Sequence, residues 1–587
     1  MNLSLEWSLK ELYPSFQSEE FKKDYEDAKN YIEEMKAWAE NNFNNRSKPV
    51  EKIENFIHMQ NDFSRYYNLL EYARLIISVD TVNGEAAKWL DLLEEMFSEL
   101  TSPVVLFQNF LREMPNLDVL MNSSRLLQEH SFVLKEMQGK AEYLLSREEE
   151  VLLAKLQTTG SQAWEKMKEQ LTGTLMVEVG EGEEKYPLTV IRNNAYEEDG
   201  ELRKKSYEAE LEAYKKIDKA AAFALNSIKG EVLSTCRLKG YQSPLEMTLL
   251  NARLDRDILE ALLSAIRDSL PMFRRYFRKK AQMLGHEGGL PFYDLFAPLG
   301  RSDKKYSYDE ASDFVIRHFT SFNPRLGQLA QRAIEGSWVD VSPREGKRGG
   351  AFCSNIHPIG QSRIMLNFTG SFNDVLTLAH ELGHGYHGDC LVRETYLNSN
   401  YSMPIAETAS TLCETIVAQG ALKSAEPEEA LNILENDISG AAQVIVDIYS
   451  RFLFEDRLFQ NRKEGVLSVC ELKELMLEAQ KEAYGDGLDF NFLHPYMWIC
   501  KPHYYDASYN YYNFPYAYGL LFAKGLYGIY EREGQAFTDR LDRMLAATGK
   551  NNLRDAAKLC GIDVGEPTFW KESLKVIERD IDKFTNM

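Results

Sequence analysis

Long segments in which apolar residues recur with a period near 3.6 constrain the fold of this chain more than any other feature. They cover residues 18–45, 49–80, 86–112 and 200–230 and a long stretch after Pro427. This period gives each helix one apolar stripe, and only 18 prolines interrupt the 587 residues. The sequence therefore predicts a mainly α fold in which amphipathic helices pack against one another.

Strand patterns are confined to two regions. Residues 174–191 alternate about a glycine-containing turn, which predicts a β-hairpin. Residues 337–368 are rich in glycine and in β-branched or aromatic residues, so we expect a small β-sheet beside the helix that follows them. Because 587 residues exceed a usual single domain, we divide the chain into a mostly helical N-terminal region, 1–195, and a second domain, 196–587.

Composition limits the partners and the compartment. The net charge is −22, from 90 acidic and 68 basic residues, which argues against nucleic acid or an anionic membrane as a partner. The N-terminus does not resemble a secretory signal, and the longest uncharged stretch, 507–523, is too short to span a bilayer comfortably. Seven cysteines without a CxxC pair are typical of reduced thiols. We expect a cytoplasmic protein.

The most informative segment has the sequence SFNDVLTLAHELGHGYHGDC, residues 371–390. His380 and His384 are separated by four positions, so both imidazoles project from one helical face. The apolar residues of the segment form a stripe nearly opposite the histidines, which would let the helix pack on the core. Asn373 or Asp374 is the expected N-cap.

Glu381 completes the HExxH arrangement. Two neutral imidazoles at this spacing bind Zn²⁺, and the glutamate takes a proton from a water molecule activated by the metal. Two surface histidines on an amphipathic helix are the alternative interpretation, but the intervening glutamate favours the metal site. His387 is expected to pack beside the site rather than to bind metal.

A site with three protein ligands needs one more side chain. A metzincin would have histidine at position 390, where this chain has Cys390. Further along, Ser402 and Pro404 can begin a helix that carries Glu407, the predicted third ligand. Glu414 shares a face with Glu407, and its role is left open between support of the metal site and an ordinary structural or solvent-facing position.

The motifs HELGHGYH and MPIAETAST resemble the oligoendopeptidase F branch of the thimet oligopeptidase family of zinc metallopeptidases. The resemblance continues in order in WSLKELYPSF, KPHYYDASYNYYNFPYAYG and a GID element before the last helix, and it is most specific over residues 349–414. It implies a two-lobed, mostly helical ellipsoid with a deep substrate channel, one zinc ion at its floor, and cleavage of internal bonds in short peptides.

The resemblance also implies the residues of the site. His380, His384 and Glu407 would bind zinc, and Glu381 would act as the general base in peptide-bond hydrolysis. In the late tyrosine-rich segment, the residues expected to contact the substrate or the developing oxyanion are His503, Tyr509, Tyr512 and Tyr516. Gly349 and Gly350 resemble the strand edge that pairs with an extended substrate, although two glycines could equally mark a bend or bulge.

Two other functions remain open at this point. A metallocarboxypeptidase could use the same metal ligands, whereas an aminopeptidase is disfavoured because no GxMEN-type element precedes the HExxH motif. A non-catalytic peptide-binding protein with a vestigial zinc site is the alternative outside enzymes, and it is disfavoured because every catalytic residue type is present.

Overall fold

The computed structural model describes residues 3–180, 182, 184–300 and 304–587. Within them helices dominate, as the amphipathic patterns predict, and short strands form two small sheets. The α-helices are α1 Glu19–Asn42, α2 Pro49–Phe63, α3 Tyr67–Val79, α4 Gly84–Ser98, α5 Thr101–Arg112, α6 Leu117–Asn122, α7 Arg125–Glu129, α8 Ser131–Ala141, α9 Arg147–Thr159, α10 Ser161–Gly173, α11 Leu188–Asn193, α12 Gly200–Tyr214, α13 Asp218–Lys239, α14 Pro244–Asn251, α15 Arg256–Met283, α16 Tyr308–Phe322, α17 Pro324–Glu335, α18 Phe372–Leu391, α19 Met403–Leu422, α20 Pro427–Ala442, α21 Ile448–Glu464, α22 Val469–Tyr484, α23 Met497–Cys500, α24 Phe514–Glu533, α25 Thr538–Ala547, α26 Leu553–Lys558 and α27 Pro567–Thr585. The strands are β1 Met176–Glu178, β2 Lys185–Pro187, β3 Val339–Asp340, β4 Phe352–Ile356 and β5 Gln361–Met365.

The chain forms two compact units, each assembled from three segments. The first consists of Met1–Tyr143, Lys304–Gly420 and Ile529–Ile562, and the second of Leu144–Asp303, Ala421–Gly528 and Asp563–Met587. This division by packing differs from the division along the chain at residue 195, because each unit combines segments that are distant in sequence.

The first unit packs α1 to α8 around an apolar core and adds a three-stranded sheet. The core is rich in aromatic side chains, and Phe21 meets Tyr13 and Trp89 edge to face. Strand β5 is central in the sheet, parallel to β3 and antiparallel to β4. Helix α18 packs against β4 and β5. The predicted small sheet therefore lies beside the helix that contains the HExxH motif.

The second unit has its own core, to which α13, α21 and α22 contribute. Strands β1 and β2 pair antiparallel, so residues 174–191 contain a hairpin, although its second strand ends at Pro187. The following residues form α11, which buries Leu188 and Ile191 on one face. Positions 181 and 183 of the expected turn lie outside the described residues.

The structure describes both the longer helices and the cysteines. No helix in the described part of the chain combines the length and the apolar character needed to cross a membrane. All seven cysteines are free thiols, as their odd number and scattered spacing predict.

Candidate metal centre

Helix α18 begins with a reciprocal pair of capping hydrogen bonds. The backbone N–H of Asp374 donates to the Ser371 hydroxyl at 3.1 Å, and the N–H of Ser371 donates to the Asp374 carboxylate at 3.0 Å. This capping box satisfies two amides at the helix start. The expectation that Asn373 or Asp374 is the N-cap was wrong: Ser371 is the cap, and Asp374 is its partner one turn later.

A glycine brings α19 unusually close to α18. A Cβ atom at Gly383 would lie 2.6 Å from the Cα of Ser410 and 2.7 Å from the carbonyl oxygen of Ala409. Only a residue without a side chain permits this approach, since both contacts are with backbone atoms. Glu407 lies one turn before Ser410 on α19, so the same contact brings its carboxylate to the two histidines of α18.

The start of α19 differs in detail from the prediction. The helix begins at Met403, and Pro404 lies in its first turn, as expected. The buried hydroxyl of Ser402, however, has no hydrogen-bond partner among the described residues. Ser402 therefore precedes the helix without capping it through its side chain.

Three potential metal ligands converge in the first unit: Nε2 of His380, Nε2 of His384 and Oε2 of Glu407. The two nitrogens are 3.2 Å apart, and the oxygen lies 3.3 Å from the first and 3.4 Å from the second. In a tetrahedral zinc site with bonds of about 2.0–2.1 Å, neighbouring donor atoms are about 3.3–3.4 Å apart. Both the donor chemistry and the spacing fit one zinc ion.

Two neighbours orient these ligands. Glu414 contacts Nδ1 of His380 through its carboxylate, which directs Nε2, with its lone pair, toward the other ligands. The hydroxyl of Ser410 donates to Oε2 of Glu407 at 2.9 Å. The sequence left the role of Glu414 open and gave no reason to select Ser410, whose only signal is its position one turn after Glu407.

The electrostatics of the group favour positive charge. Burial opposes protonation of His380, but hydrogen bonds to Glu407 and Glu414 outweigh burial and raise the pKa of His380 to about 10. Burial also acts to raise the pKa of Glu407, yet the two histidines hold that pKa well below its usual range. A cluster that stabilises an imidazolium between carboxylates offers the same attraction to a metal cation.

Glu381 is buried beside this group. The side chain is 5% exposed, and among the described residues its Oε2 has no hydrogen-bond partner. Burial raises its pKa above the usual value, with the two histidines acting in the opposite direction. A buried carboxylate oxygen without a hydrogen-bond partner is costly in a purely structural group, but it is available to exchange a proton with a bound molecule.

His387 is buried on α18 and is not among the converging ligand atoms. Its ring stacks on Tyr401 with centroids 4.0 Å apart, and its Nε2 is 2.8 Å from the hydroxyl of Thr548. Burial lowers the pKa of His387 to about 3, so the ring is neutral. His387 packs rather than binding metal.

The four predicted residues of the late segment form one aromatic cluster within the second unit. His503 stacks on Tyr512, and Tyr512 contacts Tyr509 and Tyr516 edge to face. The buried Nδ1 of His503 has no hydrogen-bond partner among the described residues, and burial lowers the pKa of this histidine. The cluster therefore contains a neutral imidazole with an unsatisfied ring nitrogen.

Tyr511 next to this cluster has a left-handed backbone, with φ of 52°. Its N–H donates to Glu455 at 3.1 Å and its hydroxyl donates to Asp456 at 3.0 Å. These bonds hold a conformation that is unfavourable for a bulky residue and fix the direction of the chain into Tyr512. No pattern in the sequence indicated this strain.

Gly349 and Gly350 lie in an exposed bend just before β4 rather than in a strand. Gly350 has φ of 82°, which a residue with a side chain rarely adopts. The two glycines were interpreted either as a strand edge that pairs with substrate or as a bend, and the geometry matches the bend. The available strand edge belongs to β4, which pairs with β5 on one side and with no other strand in the described residues.

Comparison with known proteins identifies the family. The model of peptidase family M3 matches residues 194–576, and an oligopeptidase F model matches residues 115–176. The oligopeptidase PepF of Bacillus subtilis is 24% identical over 99% of this chain and 87% of its own length. The group B oligopeptidase PepB of Streptococcus agalactiae is 24% identical over 92% of this chain and 88% of its own length.

Solved structures share the fold. The oligoendopeptidase-F of Enterococcus faecium superposes with a TM-score of 0.70 at 18% identity, covering 96% of this chain and 99% of that one. A Pz peptidase A solved with an inhibitor gives a TM-score of 0.72 at 15% identity, covering 95% and 97%. With a family model matching well over half of its residues, this chain belongs to peptidase family M3.

Proposed function

We propose that the chain is a zinc-dependent endopeptidase that hydrolyses internal bonds of short oligopeptides. One observation carries the proposal: three donor atoms spaced 3.2–3.4 Å apart lie beside the buried carboxylate of Glu381, whose Oε2 has no hydrogen-bond partner among the described residues. Membership of a peptidase family supports the reaction class. The names of the oligopeptidases most similar to the chain support short peptides as substrates.

His380, His384 and Glu407 are the proposed metal ligands. A zinc ion held by them would supply Lewis-acid chemistry, polarising the scissile carbonyl and lowering the pKa of a water molecule. Glu414 would keep the proton of His380 on Nδ1, leaving Nε2 free to bind. Ser410 would hold Glu407 in the orientation that faces both histidines.

Glu381 is the proposed general base. Its carboxylate would accept a proton from the attacking water as the new C–O bond forms at the peptide carbonyl. The same carboxyl group would pass that proton to the amide nitrogen as the C–N bond breaks, releasing an amine and a carboxylate. The raised pKa of Glu381 supports both transfers. It brings the proton affinity of the carboxylate closer to that of the attacking water and of the leaving amine.

Substrate contacts are assigned by resemblance and supported by local geometry. His503, Tyr512 and Tyr516 are proposed to donate hydrogen bonds to the oxyanion, and Tyr509, which is 60% exposed, to contact the substrate. A neutral imidazole and phenols are suitable donors for developing negative charge. The free edge of β4, which follows Gly349 and Gly350, is proposed to pair with extended substrate backbone.

Hydrolysis of a peptide with both ends blocked tests this function. We expect cleavage at internal bonds, loss of activity with a chelator, and recovery when zinc is restored, with products mapped by mass spectrometry. A carboxypeptidase would leave the blocked peptide intact and digest the same peptide with a free C-terminus. A non-catalytic binding protein would cleave neither peptide.

A further inference from the structure

A second group of metal-ligand types is buried in the second unit. It consists of Glu210 on α12, Cys500 at the end of α23, and His494 in the segment between α22 and α23. All three side chains are buried. None of them belongs to the candidate active site, and nothing in the proposed hydrolysis uses them.

The two separations that involve Glu210 match those between ligands of a single metal ion. Oε1 of Glu210 lies 3.6 Å from Sγ of Cys500 and 3.5 Å from Nε2 of His494. A tetrahedral zinc site, with Zn–S of about 2.3 Å and Zn–N or Zn–O of about 2.0–2.1 Å, separates sulfur from oxygen by about 3.5 Å and nitrogen from oxygen by about 3.3–3.4 Å. These two separations need little adjustment to surround one ion, and a ring nitrogen of His494 lies within 4.8 Å of Sγ of Cys500.

His494 gives an independent indication that something binds here. The side chain is 2% exposed, its Nδ1 has no hydrogen-bond partner among the described residues, and its Nε2 makes only the 3.5 Å ion-pair contact with Glu210. Leaving a buried polar atom without a hydrogen bond destabilises the fold. A ligand that accepts the lone pair of one ring nitrogen would remove part of this destabilisation.

The imidazole is also held in place before any ligand arrives. Gln480 contacts the backbone of His494 on both sides: the N–H of His494 donates to its amide oxygen at 3.0 Å, and its amide nitrogen donates to the carbonyl of His494 at 2.8 Å. The aromatic rings of Tyr207, Tyr214 and Phe292 surround the imidazole. These contacts fix the position of His494, and the aromatic rings limit the access of water to its imidazole.

Tyr214 and Arg192 contact the group directly, and Lys168 and Lys501 lie near enough to Cys500 to act on it electrostatically. The Tyr214 hydroxyl lies 2.9 Å from Oε1 of Glu210 and 3.0 Å from Sγ of Cys500, and Nε of Arg192 lies 3.3 Å from the same Glu210 oxygen. A thiolate and a carboxylate would neutralise a divalent ion, so the guanidinium would face a site of no net charge. Without a metal ion, Tyr214 and Arg192 instead form a hydrogen-bonded and ionic network with Glu210, which is the competing explanation.

Glu210 and His494 also line a cavity of about 270 Å³. Three protein ligands leave the fourth tetrahedral position for water or a small molecule, and this cavity gives that position access. We propose that Glu210, His494 and Cys500 bind a second divalent transition-metal ion, zinc by preference, that links α12 to residues 494–500. The thiolate and imidazole select zinc-like ions over calcium or magnesium, which prefer oxygen ligands.

Cobalt substitution of the whole chain tests this proposal independently of peptidase activity. The protein is stripped with a chelator and dialysed against Co²⁺, and bound metal and the absorption spectrum are measured. We expect two cobalt ions per chain and a thiolate-to-cobalt charge-transfer band. The first site cannot produce that band, because its ligands are two imidazoles and a carboxylate.

Variants assign the band to the second site. Cys500→Ser should abolish it and leave one cobalt ion, whereas His384→Ala should weaken binding at the first site and keep the band. Cys560→Ser, a change at another buried cysteine, is the matched control and should keep both ions. If Cys500→Ser does not fold, Glu210→Gln takes its place. This variant retains the thiol and should bind the second ion more weakly. One ion per chain without the band in the unaltered protein, or a band that survives Cys500→Ser, would overturn the proposal and favour the metal-free network.

Discussion

Glu414 and Ser410 determine what the three ligand side chains present to a metal ion. A histidine can bind metal through Nε2 only if that nitrogen is not protonated, and the contact of Glu414 with Nδ1 of His380 favours that tautomer. The bond from Ser410 fixes Glu407 in the same way. The proposed function therefore depends on residues that do not themselves bind the metal.

Replacing Glu414 by Gln tests this dependence. The amide keeps the shape of the side chain but removes the charge that stabilises the required tautomer, so we expect zinc affinity to fall about 10–100-fold. Competition with a chromogenic chelator measures the affinity. Glu428→Gln, at an exposed position on α20, is the control and should bind zinc as the unaltered chain does. Equal affinities in the two variants would rule out this role for Glu414.

At the scale of elements, the contact between α18 and α19 sets the geometry of the centre. The backbone of α19 lies against Gly383, and this approach carries Glu407 to the histidines. The sheet side of α18 also requires small residues, since a Cβ at Gly388 would lie 2.4 Å from the side chain of Asn355. The glycines of the HELGHGYHG segment thus serve packing on two faces of one helix.

We expect Gly383→Ala to separate the two helices and weaken zinc binding. The added methyl group meets backbone atoms, which cannot rotate away, and overpacking of this kind costs about 1–3 kcal/mol. Zinc affinity and the melting temperature of the metal-free chain measure the effect. Gly440→Ala on α20 is the matched control, because its added Cβ would have no neighbour within 4 Å and should leave zinc affinity unchanged. If Gly383→Ala bound zinc normally, the proposed constraint would be incorrect.

Sequence patterns predicted the helices and the spacing of the histidines well, because a regular period or a short motif determines them. They predicted the ends of helices and strands less well, because packing decides where these elements end. The 3.6 period predicted the helices, and the HExxH spacing identified His380 and His384 as neighbours on one face. The end of β2 at Pro187 and the N-cap at Ser371 differed from prediction because local alternatives, burial of Ile191 and reciprocal capping by Asp374, compete at each boundary. The contact of Glu414 with Nδ1 of His380 depends on how side chains from two helices point toward each other. Spacing along the chain does not determine that direction.

At the scale of the whole molecule, each unit gathers segments from across the sequence. The first unit contains the candidate metal centre, on its segment Lys304–Gly420, and the second unit contains the aromatic cluster of His503 together with the Glu210, His494 and Cys500 group. Division by sequence alone favoured a boundary near residue 195. Composition and periodicity do not indicate which distant segments of a chain pack together. The grouping of segments into two units is therefore seen only in the three-dimensional structure.

The preference for short substrates is the property that we expect at the scale of the whole molecule. The similarity to oligopeptidases leads us to expect efficient cleavage of short end-blocked peptides and negligible digestion of a folded protein. A series of blocked peptides of increasing length, with kcat/KM determined for each, measures this preference. The same sequences embedded in a folded carrier protein are the control. Equal rates for peptide and folded carrier would contradict an oligopeptidase.

The central claim, that Glu381 moves the proton in a metal-dependent hydrolysis, is tested most directly by Glu381→Gln. Zinc content and kcat for an end-blocked oligopeptide are measured on the same preparation, with Glu428→Gln as control. We predict that the variant binds zinc as the unaltered chain does, because Glu381 is not among the converging ligands, and that kcat falls about 10²–10⁴-fold. Full zinc content with undiminished turnover would contradict the account.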